Sequence, residues 1–237
     1  MRINMHETRR AIITRLLRVA LQTICKIDDK EFIEAIRGHK NEQALFPGPM
    51  IIAINHTNFL EVPMLVTQSY PKYLTGIVKG ETWQNPVMGF LMNTYDAIPI
   101  NRAGSYLQTF RHVHTLMKDK KAFVVIAPEG TRSGTGILGP GKAGIVQLAL
   151  LTGAPVLPVI FIGGEKIWIN IRHFRRTRLQ FRVGRPFRFK YEGRPSKEIK
   201  DIMLNELMGQ IAALLPVEKQ GQYVEQALRE PTLLEFL

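Results

Sequence analysis

The sequence predicts an α/β domain: a single domain with a central mixed β-sheet flanked by helices, preceded by an N-terminal amphipathic helical segment. Three observations predict it. Short apolar or β-branched runs bounded by turn residues alternate with stretches of helical periodicity. Polar groups suited to chemistry fall just past the ends of several of those runs, where open α/β sheets place their ligand crevice. A length of 237 residues with 45% hydrophobic content is enough to bury one full core. Residues 1–40 are read as the N-terminal segment and 41–237 as the domain.

In the N-terminal segment, Ile12, Ile13, Leu16, Leu17, Ala20, Leu21 and Ile24 recur at helical spacing, with Arg15, Arg18, Gln22 and Lys26 on the other side. Arg9 and Arg10 add charge ahead of it. Such a helix either lies in the headgroup region of an anionic membrane or packs its stripe against the domain. Strands are predicted over residues 50–54, an uninterrupted apolar run, and over 73–78, 97–100, 123–127, 156–161 and 178–183. Helices are predicted over 105–120, 143–151 and 197–214. His56 follows the first strand, Arg102 the third and Glu129 the fourth, so groups distant in sequence can meet at one rim. No internal repeat or low-complexity tract interrupts the pattern.

The formal net charge of +12 and the pI near 10.0 point to an anionic partner, for which nucleic acid, an acidic membrane and a phosphorylated substrate all qualify. One cysteine, Cys25, excludes an intramolecular disulfide framework and fits a reducing compartment. No stretch reaches the roughly 20 apolar residues that span a bilayer, and the N-terminus lacks the pattern of a secretory signal.

His56 stands where the chain must turn after a strand, between the turn formers Asn55 and Asn58. A lone histidine there is more often structural. The carboxylate of Glu61 changes that: if a helix begins near Thr57, Glu61 lies about one turn on and can reach back to the imidazole, fixing its tautomer and stabilising its cation. The spacing suits a general base, but it also arises by chance in many proteins and by itself leaves the structural histidine open.

From Gly130 to Gly144 the chain is glycine-dense and carries two deceptive fingerprints. The Gly134 to Gly139 stretch satisfies the dinucleotide pattern, but a Glu-Gly-Thr-Arg turn separates it from the strand and no acidic residue follows at ribose distance. The Gly136 to Ala143 stretch nearly satisfies the phosphate-loop pattern, but Ala143 stands where a hydroxyl must bind magnesium and Pro140 removes a backbone donor. A flexible loop closing over an anionic substrate accounts for the glycines and Lys142. His112 and His114 point to different sides of a helix and cannot chelate one metal. No metal site is expected, and the absence of a Gly-x-Ser-x-Gly elbow argues against a serine nucleophile.

A second function class competes. From Lys166 to Tyr191 there is no acidic residue, and eight arginines and lysines from Arg172 to Lys190 interleave with Phe174, Phe181, Phe187 and Phe189, as on an RNA-binding surface. A basic strand facing anionic lipid would look the same. The alternation over residues 178–183 suits a half-buried strand whose aromatics belong to the core.

Taken together, the motifs resemble the lysophospholipid acyltransferase family, of the 1-acylglycerol-3-phosphate O-acyltransferase type. The family's His-x-x-x-x-Asp motif is matched by His56 to Glu61, its arginine after a short strand by Ile98-Pro-Ile-Asn-Arg102, its Pro-Glu-Gly-Thr-Arg block by Pro128 to Arg132, and its Val-Pro-Val strand by Val156 to Val159. Lys79-Gly-Glu81 and Lys142-Ala-Gly144 resemble two further segments, and the likeness covers residues 49–159. Two positions depart from it: Glu61 replaces the aspartate and Asn58 the usual serine.

The resemblance implies transfer of a fatty acyl group from acyl-CoA or acyl carrier protein, as co-substrate, to the free hydroxyl of 1-acylglycerol 3-phosphate. It implies no resident cofactor. His56 and Glu61 would be catalytic. Lys79, Arg102, Glu129, Gly130, Thr131 and Arg132 would bind substrate, the cations on its phosphate and Glu129 on the glycerol or its neighbours. The N-terminal helix would dock on an anionic membrane, as in some family members, which puts the expected location peripherally on the cytoplasmic face of a membrane, and nucleic acid is not an expected partner.

Overall fold

The computed structural model describes residues 5–38, 44–100 and 106–237. In chain order these form α1 (Met5–Ile24), β1 (Cys25–Asp28), α2 (Lys30–Ile36), β2 (Met50–Ile54), α3 (Glu61–Ser69), β3 (Leu74–Lys79), α4 (Pro86–Thr94), β4 (Ile98–Ile100), α5 (Tyr106–Lys120), β5 (Phe123–Ile126), α6 (Gly144–Thr152), β6 (Val156–Ile162), α7 (Ile167–Arg172), β7 (Thr177–Val183), β8 (Phe187–Phe189), α8 (Lys197–Ala213), α9 (Val224–Leu228) and β9 (Leu234–Phe236).

The sheet runs in the order β1-β7-β6-β2-β5-β3-β4. Strands β6, β2, β5, β3 and β4 are mutually parallel, β7 is antiparallel to β6, and β1 is parallel to β7. Strand β8 continues along the β6 edge past a turn at Gly184, whose amide donates to Pro158 O (2.9 Å), and β9 pairs with β8. The mixed sheet expected from the sequence is therefore present, with each of the six predicted strands within one residue of its expected start.

Helices cover both faces, and the pleat of β2 shows why the central strand is an unbroken apolar run. Ile51 and Ala53 face a cluster built with α5, α6 and α8. Met50, Ile52 and Ile54 face a second cluster with α1, α2 and α3, so neither side of the strand meets water. Within the second cluster Phe161 packs edge-on against Phe181 at 4.6 Å between ring centres. Fully buried side chains of this size contribute about 1.5–3 kcal/mol each. Helix α6 stops at Gly153, which adopts the left-handed conformation (φ 63°) that a side chain would resist.

The N-terminal region corrects the expected layout. Residues 5–36 are not a segment set apart from the domain: β1 is a strand of the central sheet, and Phe32, Ala35 and Ile36 of α2 are buried in the second cluster. The stripe on α1 is also divided. Ile13, Leu17, Leu21 and Ile24 turn to the domain, whereas Ile12, Leu16 and Val19 are 55%, 66% and 61% exposed. Arg10 and Thr14, which lie between them, are buried. The Arg10 guanidinium sits over the rings of Tyr73 (4.5 Å) and Tyr95 (5.3 Å), donates to Leu74 O (2.8 Å) and lies 3.7 Å from Asp96, while Thr14 is hydrogen-bonded to the Tyr95 hydroxyl (3.0 Å). Helical periodicity located the helix; polar partners on α3, β3 and the α4–β4 turn decided its rotation. Arg18 and Arg37 donate to Thr67 O and Gln68 O, capping the last turn of α3 where its dipole favours cations.

Of the interleaved aromatics, Phe181 and Phe187 are core residues and Phe189 is half-buried, in accord with a half-buried strand; Phe174 is fully exposed. Among the described residues no helix is long and apolar enough to cross a membrane.

Candidate active site

The carboxyl ends of β2, β3, β5 and β6 form one rim of the sheet, and the side chains with chemistry collect there. After β2 the chain cannot continue as a strand, because the Asn55 side chain makes the next rung itself: Nδ2 donates to Phe161 O (3.0 Å) and Oδ1 accepts from Phe161 N (2.8 Å). This buried clamp turns the backbone at a fixed point, and His56 follows it.

The His56 ring meets Glu61 through Nδ1, at 2.7 Å from Oε2. Glu61 is fully buried as the first residue of α3, and its other oxygen accepts from the Thr57 amide (2.7 Å), the Thr57 hydroxyl (2.5 Å) and the Asn58 amide (3.1 Å). The helix thus begins at Glu61 and not near Thr57; a tight turn over residues 57–60, closed by Leu60 N donating to Asn58 Oδ1 (2.7 Å), brings the carboxylate back to the ring. With Glu61 accepting throughout, Nδ1 carries the proton and Nε2 is left as an acceptor. The His56 side chain is 23% exposed and Glu61 1%, so the pair is open on the imidazole side alone.

Glu129 holds the same histidine by its main chain. Its Oε1 accepts from His56 N and its Oε2 from Gly139 N, both at 2.8 Å, and the side chain is buried. Burial pushes its carboxyl above the usual carboxylate range, against the opposing pull of the Gly139 and His56 amides. Ser133 N closes the circle by donating to His56 O (2.7 Å), so the Glu129 to Ser133 turn wraps the histidine backbone. Gly130 makes this turn at φ 64°, with the Lys142 side chain packed over it.

The glycine-rich stretch differs from the flexible loop expected. Leu138 N donates to Lys219 O (2.9 Å), Gly141 N to the Tyr223 hydroxyl (2.9 Å) and Lys142 N to Pro128 O (2.9 Å), while Lys219 Nζ donates to Thr135 O (3.1 Å) and pairs with Glu165 (2.7 Å). These anchors lie outside the stretch itself, at residues 128, 165, 219 and 223. Gly136, Gly139 and Gly141 pack against Lys219, Glu129 and Met208 too closely for a side chain, whereas Gly134 and Gly144 face open space. Leu138 is buried in the first cluster.

The structure brings His56, Glu61, Glu129 and Gly130 into one constellation, with Thr131 and Arg132 exposed beside it. Lys79 ends β3 on the same rim, exposed, two strands from β2. Arg102 lies outside the described residues. Sequence reasoning missed Asn55 as a clamp and Gly164 as a spacer: a Cβ on Gly164 would collide with Thr57 Oγ1, which donates to Glu61, and with Asn58 Nδ2, which donates to Thr57 Oγ1. The signal for the latter was a Gly163-Gly164 pair directly after the β6 run.

Comparison with known proteins bears on the family and the fold. A family model described as Acyltransferase matches residues 35–162. A 1-acyl-sn-glycerol-3-phosphate acyltransferase of Brassica napus, BAT2, chloroplastic, is 36% identical over 123 residues, 50% of this chain and 34% of that protein. The matched stretch therefore spans about a third of the plant relative. A 1-acyl-sn-glycerol-3-phosphate acyltransferase of Bacillus subtilis is 26% identical over 168 residues, 69% of this chain and 80% of the other. The crystal structure of the 1-acyl-sn-glycerophosphate acyltransferase PlsC from Thermotoga maritima shares the fold, with a TM-score of 0.58 at 19% identity over 87% of this chain and 81% of that one.

Proposed function

The chain belongs to the Acyltransferase family, and from that premise we propose that it transfers a fatty acyl group from a thioester donor, acyl-CoA or acyl carrier protein, to the free hydroxyl of a lysophospholipid, with 1-acylglycerol 3-phosphate as acceptor and phosphatidic acid as product. The observation that carries the reading is the 2.7 Å contact of His56 Nδ1 with a Glu61 carboxylate immobilised by three further donors. It leaves Nε2 as the ring nitrogen not taken by Glu61, on the more exposed member of the pair.

The acceptor hydroxyl gives its proton to His56 Nε2 as its oxygen bonds to the thioester carbonyl carbon. The imidazolium, stabilised by Glu61, returns that proton to the sulfur as the carbon–sulfur bond breaks, so no covalent enzyme intermediate is needed. General-base help of this kind is worth about 10²- to 10⁴-fold. Lys79 and Arg132, with Arg102, supply cations for the substrate phosphate, and Thr131 and the Gly130 backbone border the same place. Glu129, with both oxygens taken by backbone amides, acts by positioning His56 and not by holding glycerol. The exposed Ile12, Leu16 and Val19, with Arg9 and Arg15 nearby on α1, form a peripheral attachment to an anionic membrane surface, on its cytoplasmic side.

The test is an acyl-transfer assay over a panel of lysophospholipids with both donor classes, read by mass spectrometry, for the wild type and His56→Ala. Loss of at least about 10²-fold in turnover with the fold intact is expected. More than about a tenth of wild-type turnover in the variant would remove His56 from the mechanism.

A further inference from the structure

Helix α7 and the turn after it present an apolar surface that the fold leaves uncovered. Ile167 points into the core at 1% exposure, while Trp168 and Ile169 are 53% and 57% exposed. The helix ends in a Schellman motif, with Phe174 N donating to Ile171 O (3.0 Å) and Arg175 N to Asn170 O (2.8 Å). Phe174 occupies the left-handed position of that motif at φ 52°, where glycine or asparagine is favoured, and its side chain is fully exposed. A bulky aromatic thus sits in a backbone conformation that opposes it, and its full exposure leaves no packing among the described residues to offset the strain. Exposed Arg172, His173 and Arg175 surround it, in a stretch from Lys166 to Tyr191 that contains no acidic residue.

Two contacts fix where this surface lies. Trp168 stacks on Phe59 at 5.3 Å, three residues past His56, so it borders the active site. Arg176 donates to Gln22 O (2.6 Å) and Cys25 O (2.7 Å), tying the turn to the carboxyl end of α1.

We propose that α7 and the Phe174 turn are an interfacial anchor that inserts Trp168, Ile169 and Phe174 into an anionic phospholipid surface, with Arg172 and Arg175 on the lipid phosphates, and so presents His56 to an acceptor held in that surface. Aromatic and aliphatic side chains ringed by arginine match the bilayer interface, apolar below and anionic above. The anchor rests on the acyltransferase reading only in what it presents to His56; binding itself is separable.

The experiment uses the full chain and vesicles of phosphatidylcholine with phosphatidylglycerol. Phe174→Gly relieves the left-handed strain, so its Tm should equal or exceed that of the wild type while vesicle partitioning falls about tenfold or more, the value of withdrawing one phenyl ring from the interface. Transfer to a water-soluble short-chain acceptor should be unchanged. In a Trp83→Phe background, brominated phosphatidylglycerol should quench Trp168. Unchanged partitioning of Phe174→Gly, or an unquenched Trp168, overturns the anchor, as does a fall in partitioning that tracks a lowered Tm. A change in sedimentation from dimer to monomer with vesicle binding intact would assign the surface to a second copy of this chain and overturn it equally. Should the wild type transfer no acyl group while Phe174→Gly still loses vesicle binding, the reaction assignment fails and the anchor stands.

Discussion

Glu129 grips His56 by the peptide backbone: its Oε1 accepts the His56 amide at 2.8 Å while its Oε2 takes the amide of Gly139, so one buried carboxylate ties the end of β2 to the glycine-rich stretch. The imidazole is thereby held from two directions, its ring by Glu61 and its main chain by Glu129.

Glu129→Gln keeps the volume but replaces one accepting oxygen with an NH₂ group that faces a backbone N–H. One buried amide is left unsatisfied, at a cost of about 1–3 kcal/mol. Turnover should fall while KM for the lysophospholipid stays close to the wild-type value, because the two oxygens hold the His56 and Gly139 amides. A KM increase with unchanged kcat would return Glu129 to substrate binding.

Glu61 accepts from four donors with two oxygens, and neither shortening nor amidation preserves them all. In Glu61→Asp the carboxylate withdraws from the ring or from the Thr57 turn, and a displacement near 1 Å costs about 10²-fold. Glu61→Gln turns a donor toward His56 Nδ1 or toward the turn amides and removes the charge that stabilises the imidazolium, so its loss should be at least as large. Wild-type kcat in Glu61→Gln would detach this carboxylate from the catalytic pair.

Gly164→Ala tests how far the site depends on the end of β6. The added methyl would overlap Asn58 Nδ2 and Thr57 Oγ1, displacing the hydroxyl that donates to Glu61 and the amide that supports it. We expect kcat to fall by about 10-fold or more, with a stability loss of about 1–3 kcal/mol from overpacking. Unaltered kcat would show that the Thr57 turn relaxes without moving the carboxylate.

Adjacent leucines on α1 should behave oppositely. Leu16 is 66% exposed, whereas Leu17 packs on the second cluster. Leu16→Ser should change stability by less than about 0.5 kcal/mol and weaken binding to anionic vesicles. Leu17→Ser should cost about 1–3 kcal/mol in chemical denaturation. Equal effects of the two on both measurements would mean that the helix is rotated from the orientation set by Arg10 and Thr14.

Burial raises the Cys25 thiol to about 11, despite the nearby Arg176 charge, and the residue is 1% exposed. At pH 8 the thiolate is therefore scarce and shielded, and iodoacetamide should leave the native protein unlabelled while modifying the denatured chain fully. Rapid labelling of the native protein would show that β1 opens at the sheet edge.

Wherever hydrophobic period and turn chemistry act locally, the sequence alone determined the outcome. The unbroken run of β2, the strands at β5 and β6 and the helices α5, α6 and α8 lie where apolar spacing and flanking turn residues put them, because burial on both faces of a strand or on one face of a helix is written in neighbouring positions. The pairing of His56 with Glu61 was legible for the same reason, the two being five residues apart, although the geometry that joins them is a turn and not a helix. Tertiary structure decided the rest. The Glu129 carboxylate reaches a backbone amide 73 positions away, Asn55 clamps Phe161 across 106, and the anchors of the glycine-rich stretch come from the C-terminal 20 residues as well as from Pro128 and Glu165. The rotation of α1 followed from Arg10 finding two tyrosine rings and a carbonyl on other elements. No local pattern encodes such choices, since a buried polar group is stabilised by whichever partners the packed chain brings to it, and those partners exist only once the fold has formed.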